Sequence, residues 1–68
     1  MATFNERLKE LRIDNKLSQQ QLGDILNTSK MAISHWEKGH SEPSITQLIT
    51  LSNIFSVSVD YLIGKTDI

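Results

Sequence analysis

Apolar residues fall three and four apart along most of the chain. Phe4, Leu8 and Leu11 follow i, i+4, i+7, and Leu22, Ile25 and Leu26 continue the spacing in the next segment. Ile33 and Trp36 lie three apart. Ile45, Leu48, Ile49, Ile54 and Phe55 form a longer amphipathic run, and Val57, Val59, Leu62 and Ile63 follow it. Three polar starts have capping-box form: Thr3-x-x-Glu6, Ser18-x-x-Gln21 and Ser44-x-x-Gln47. In each, the hydroxyl can accept from an early backbone N–H while the side chain three residues on reaches back to the cap's own N–H. Ser29 and Ser58 suit simple N-caps. Asn27 and Gly39 tolerate the left-handed conformation that ends helices, and Pro43 stops anything running into Ser44. The pattern predicts an all-α fold, a compact bundle of five short helices near 4–15, 18–26, 29–37, 44–54 and 58–63, forming one domain over 1–68. Val57-Ser58-Val59 alternates like a strand but is too short and isolated to pair, so it reads as the entry to the last helix.

Residues 18–38 predict a helix of about two turns, a tight turn and a second helix, the composition of a helix-turn-helix unit. Gly23 is small where the second helix must cross the first. Asn27 suits the positive φ of the turn, and Leu22, Ile25, Leu26, Ile33 and Trp36 are expected to face a common core. At about 100° per residue, with Lys30 set to zero, Ser34, Lys38, Met31 and His35 lie at roughly 40°, 80°, 100° and 140°, and Ile33 and Trp36 at roughly 300° and 240°. One face packs; the other presents Lys, Ser, Lys, Met and His with nothing acidic. A helix of that size fits the major groove of B-DNA, where base edges carry a distinct donor and acceptor pattern.

Several segments together resemble the phage repressor and Cro-type helix-turn-helix family, also called the xenobiotic-response-element family. They are Arg7-Leu8-Lys9-Glu10-Leu11-Arg12, Leu17-Ser18-Gln19-Gln20-Gln21-Leu22, Ile33-Ser34-His35-Trp36-Glu37-Lys38-Gly39, Glu42-Pro43-Ser44 and Val57-Ser58-Val59-Asp60-Tyr61-Leu62-Ile63-Gly64, in the family's order and over about residues 5–65. The resemblance implies a lambda-repressor-like DNA-binding domain and a role at each matching position. Ser29, Lys30, Met31, Ser34 and His35 would meet base edges. Gln19 would anchor to phosphate and brace the second helix of the unit. Lys38, His40, Ser41 and Ser44 would touch neighbouring phosphates, and Arg12 and Glu37 would form a buried ion pair joining the first helix to the third. Two positions depart from the family: Asn27 stands where Gly is common, and Gly23 where Ala is common, at a helix-propensity cost of roughly 1 kcal/mol.

Composition adjusts this picture. Seven Lys and Arg face eight Asp and Glu, a net charge of -1, so the chain has no basic bulk to offer phosphates. Distribution compensates: Glu6, Glu10, Asp14, Asp60 and Asp67 lie outside the expected DNA face, and between residues 28 and 41 the one acid is Glu37. A thinly positive face implies a weakly binding monomer and a low slope of log affinity against log salt. It also implies reliance on two half-sites roughly 34 Å apart, occupied by a homodimer. Phe55, Val57, Tyr61, Leu62, Ile63 and Ile68 carry more apolar surface than so small a core readily covers, so Tyr61, Ile63 and Ile68 are expected at a dimer contact, which also offsets the thin stability of a short chain.

The remaining classes are poorly served. With no Cys there is no disulfide, thiolate metal site or Cys nucleophile. Ser34 and His35 are helix neighbours whose side chains diverge, and no Gly-rich phosphate loop is present, so an enzyme is not expected. His35 and His40 alone make a poor metal site, and no metal, cofactor or small-molecule substrate is expected. No apolar run approaches the ~20 residues that span a bilayer, and the start of the chain lacks a signal-peptide core, which points to the bacterial cytoplasm rather than a membrane. The leading expectation is a sequence-specific double-stranded DNA-binding transcriptional regulator, a repressor or Cro-like protein of phage, prophage or bacterial origin that binds an operator as a dimer. The alternative is a protein-interaction module of the same fold, of antirepressor or antitoxin type, that binds a second regulator.

Overall fold

The computed structural model describes residues 3–67, and every regular element among them is a helix. The five are α1 (Phe4–Asp14), α2 (Gln19–Ile25), α3 (Lys30–Lys38), α4 (Ile45–Phe55) and α5 (Val59–Leu62). α1 and α2 both pack on α3, while α5 packs on α4 and α1. Each helix contributes to one buried core of Leu8, Leu22, Ile33, Trp36, Leu51, Phe55 and Leu62, flanked by half-buried neighbours such as Phe4, Leu11, Leu17, Leu26, Leu48 and Val57.

The starts behave as the sequence pattern predicts. Ser18 and Ser44 accept from the N–H of Gln21 and Gln47, and their own N–H groups donate to those glutamines' Oε1 at 2.8 Å. Ser29 and Ser58 cap α3 and α5 through Ala32 and Tyr61. At α1 the Thr3 backbone N–H and hydroxyl both donate to Glu6 Oε1. Those bonds, the backbone one first, hold the Glu6 carboxyl below the ordinary Glu range. This cap is therefore complete at neutral pH and is lost as pH falls through that lowered value.

The ends share one device. After each helix a residue sits in the left-handed region, and the next N–H bonds back to a carbonyl five residues earlier, the Schellman arrangement. Lys16, Asn27, Gly39, Ser56 and Gly64 have φ between 54° and 85°. The closing bonds run from Leu17 to Arg12, Thr28 to Gly23, His40 to His35, Val57 to Ser52 and Lys65 to Asp60. Asn27 and Gly39 were legible as such stops; Lys16 and Ser56 were not, because neither residue type favours positive φ.

One expectation about burial needs correction, and two further placements were not read from the sequence. Ile25 is half exposed rather than core, because α2 is only two turns long and Leu22 fills the side that meets α3. Ile45 and Ile49 are 76% and 50% exposed, since α4 buries the opposite face through Leu51 and Phe55. Arg7 is buried, an outcome its charge conceals. It lies on the same stripe of α1 as Phe4 and Leu11, three and four residues away. Its Nη1 donates to the carbonyls of Tyr61 and Thr66, its Nη2 lies 2.9 Å from Asp67 Oδ1, and its guanidinium stacks over the Tyr61 ring at 4.1 Å. The first helix thus clasps residues 61–67.

Replacing Ser56 with Gly removes a side chain from a left-handed helix end. Ser56→Gly is expected to stabilise the domain by roughly 0.5–1 kcal/mol, after allowing for the freer unfolded chain. Urea unfolding checks this, and a lower midpoint would mean that the Ser56 conformation carries no such cost.

Candidate nucleic-acid interface

The turn between α2 and α3 is built from backbone fit. Leu26 closes α2, and Asn27 at φ 56° reverses the chain. Thr28 N–H then reaches the Gly23 carbonyl at 2.8 Å, and Ser29 starts α3. Gly23 is buried at the crossing. A Cβ there would stand 3.1 Å from the Thr28 carbonyl oxygen and 3.2 Å from the Ser29 carbonyl. An Ala Cβ would need the Thr28–Ser29 backbone to give by a few tenths of an ångström, and a larger side chain would push the two helices apart.

α3 is seated by Ile33 and Trp36, both buried, so its opposite face looks outward. There Lys30, Met31, His35 and Lys38 are exposed and Ser34 is half buried. These five line one shallow concavity with Gln19, Gln20 and Ser29. The Ser29 hydroxyl oxygen is engaged as the α3 cap, which leaves its proton to donate. Gln20 is the lining residue that sequence reasoning passed over. Its amide donates to Asp24 Oδ1 at 2.9 Å, a bond one helical turn long that the i, i+4 spacing could have signalled.

The acid on α3 is turned inward. Glu37 Oε2 lies 2.6 Å from Arg12 Nε, and Glu37 Oε1 accepts from Arg12 Nη2 and from Gln19 Nε2 at 3.2 Å. Arg12 Nη1 donates to the Leu17 carbonyl. The two side chains are 12% and 4% exposed. The group links α1, α2 and α3, and it leaves the outer face of α3 with lysines and no opposing carboxylate. It also orients the Gln19 side chain at the edge of the concavity.

The remaining candidates are spread around this centre. The His40 ring lies 5.8 Å from that of His35. Ser41 instead lines a second groove with Phe4, Trp36, Pro43, Leu48 and Ile63, away from the concavity. Ser44 is exposed, with its oxygen engaged as the cap of α4. Tyr61 is half buried beneath Arg7, and Ile63 is 43% exposed at the rim of the second groove. Ile68 lies outside the described residues. Among the described residues no three His, Cys, Asp or Glu side chains come together to hold a metal ion, and no helix is long and apolar enough to cross a membrane.

The chain belongs to the helix-turn-helix family, of phage-repressor and xenobiotic-response-element type, whose model matches residues 8–62. Among curated relatives it is 40% identical over 65 residues to the HTH-type transcriptional activator BcrR of Enterococcus faecalis, across 96% of this chain and 32% of that one. It therefore spans well under two thirds of that relative's length. The P22 c2 repressor, solved in complex with a synthetic operator, superposes with a TM-score of 0.88 at 33% identity, over 97% of this chain and 100% of that one. The same fold occurs within an enzyme, the hydroxypropylphosphonic acid epoxidase of S. wedmorenis. It matches with a TM-score of 0.80 at 27% identity, over 90% of this chain and only 32% of that one.

Removing one member of a buried ion pair strands the other without a counter-charge. Glu37→Ala is expected to cost roughly 3–5 kcal/mol, most of what a domain of this size commands. Thermal or urea unfolding would register the loss, and a change under about 1 kcal/mol would show the pair to be dispensable.

Proposed function

We propose that this chain is a sequence-specific reader of double-stranded DNA that regulates transcription in the bacterial cytoplasm, as a repressor or Cro-like protein. The observation that carries this reading is the outer face of α3: Lys30, Met31, Ser34 and His35 project from a helix seated by Ile33 and Trp36, with the one acid on that helix locked to Arg12. In this reading α3 lies in the major groove. Lys30 and His35 donate to guanine, Met31 meets a thymine methyl, and Ser29 and Ser34 contact either base edge or sugar. Gln19, Lys38, His40, Ser41 and Ser44 reach phosphates to either side, which fixes register rather than sequence. The match to the operator-bound P22 c2 repressor supports the same placement.

Two copies would be needed, because Lys30 and Lys38 give each α3 only two fixed positive charges on its outer face. Tyr61, Ile63 and Ile68 are our candidates for the contact between copies. A dimer would then set two α3 helices one turn of DNA apart, about 34 Å.

Selection from a randomised duplex library at roughly 50 mM salt, where cation–phosphate attraction is strong, tests the reading. A two-fold symmetric motif is the expected product. The double change Lys30→Ala with His35→Ala is expected to abolish specific binding while leaving the circular dichroism spectrum and unfolding midpoint unchanged. Specific binding that survives both changes would remove α3 from the role of reader. Ile63→Lys is expected to shift the protein toward monomer in sedimentation equilibrium and to weaken operator binding more than tenfold. An unchanged dimer would relocate the contact.

A second reading, a module that binds another regulator protein, is favoured by the exposure of Ile45 and Ile49, one turn apart on α4. A folded sample that enriches no duplex would move the function to that surface.

A further inference from the structure

At the end of α3 the chain folds back on itself through Gly39, at φ 77°, and His40 N–H donates to the His35 carbonyl at 2.9 Å. This turn sets two imidazoles side by side, with ring centroids 5.8 Å apart and planes tilted by 47°. Both residues are exposed, and among the described residues neither ring has an ion-pair partner. The charged groups on the surrounding elements are accounted for. On α3, Glu37 is taken by Arg12, and Lys30 and Lys38 are exposed, with no ion-pair partner among the described residues. On α1, Glu6 is held by Thr3 and Arg7 by the 61–67 segment, while Lys9, Glu10 and Asp14 are exposed. On α2, Asp24 accepts from Gln20, and in the loop after His40 the acid is the exposed Glu42.

Imidazole is the side chain whose charge ordinarily changes between pH 5 and 8. A duplex along α3 would bring guanine acceptor atoms to His35 and phosphates to His40, and both favour a protonated ring beside them. Two protons added to a face whose fixed cations are two lysines would double its positive charge.

We propose that His35 and His40 act as one proton-gated DNA contact, so that binding takes up protons at this pair and affinity rises as the solution is acidified. The inference rests on the DNA-reading function proposed above.

The test is fluorescence anisotropy with a labelled mixed-sequence duplex of about 20 base pairs at roughly 50 mM salt, where non-specific binding is measurable. The solution is stepped from about pH 8 to about pH 5.5, with circular dichroism confirming the fold at each step. The association constant is expected to rise roughly tenfold for each histidine over that range. The double variant His35→Gln, His40→Gln is expected to lose that rise, and each single variant part of it. Calorimetry in buffers of different ionisation enthalpy should show net proton uptake on binding, absent in the double variant. An affinity that is flat in the parent protein, or that rises equally in the double variant, overturns the proposal and leaves the DNA reading intact. Absence of binding at every pH overturns the DNA reading itself, and the proposal with it.

Discussion

The ion pair between Arg12 and Glu37 fixes the angle at which α3 is presented. The guanidinium bonds both oxygens of the carboxylate and the Leu17 carbonyl, and the carboxylate also accepts from Gln19. One charged group therefore touches α1, the turn after it, α2 and α3. Hydrophobic contacts would let the helices slide by a fraction of a turn at small cost, whereas a bidentate fork has one good geometry. The same pair settles the electrostatics: it neutralises the carboxylate on α3 and points it away from the surface that Lys30 and His35 share.

Among the described residues, seven buried hydrophobic side chains make a thin core for a chain without cysteine. Two arginines extend it by different routes. Arg12 joins helices through a carboxylate, whereas Arg7 gathers backbone carbonyls and an aromatic face from residues 61–67. Each supplies several directed bonds where a small domain has little apolar area left to bury. Arg7 also determines where Ile63 stands, because it holds the segments on both sides of that residue.

Most of the fold was legible, and the reasons are local. Helix starts were readable because a Ser or Thr followed by Glu or Gln three residues on has one strong meaning, and all three such boxes formed. The side of α3 that packs was readable from Ile33 and Trp36 alone. The misreadings come from tertiary context. Ile25 fits an apolar stripe, but the neighbours that would cover it face other sides of the bundle; the exposure of Ile45 and Ile49 on the amphipathic α4 was likewise not readable from spacing. The burial of Arg7 was not read at all, because it is a charge on a stripe that packs. At the candidate interface, periodicity brought Lys30, Met31, Ser34, His35 and Lys38 together correctly. The bond from Gln20 to Asp24 was within reach of i, i+4 spacing, but Gln20's place in the concavity depends on how α2 leans over α3.

The five left-handed helix ends have a consequence for time as well as shape. Each helix carries its start and its stop within a few residues, so its bounds are coded locally even though its stability comes from packing. Little chain must be searched to close the bundle, since each connection is a single turn or a short loop. Helical domains with such local wiring fold in microseconds to milliseconds. A domain of this kind folds in a time short beside the seconds its own synthesis takes, so pairing of copies, not folding, would set how fast it becomes active.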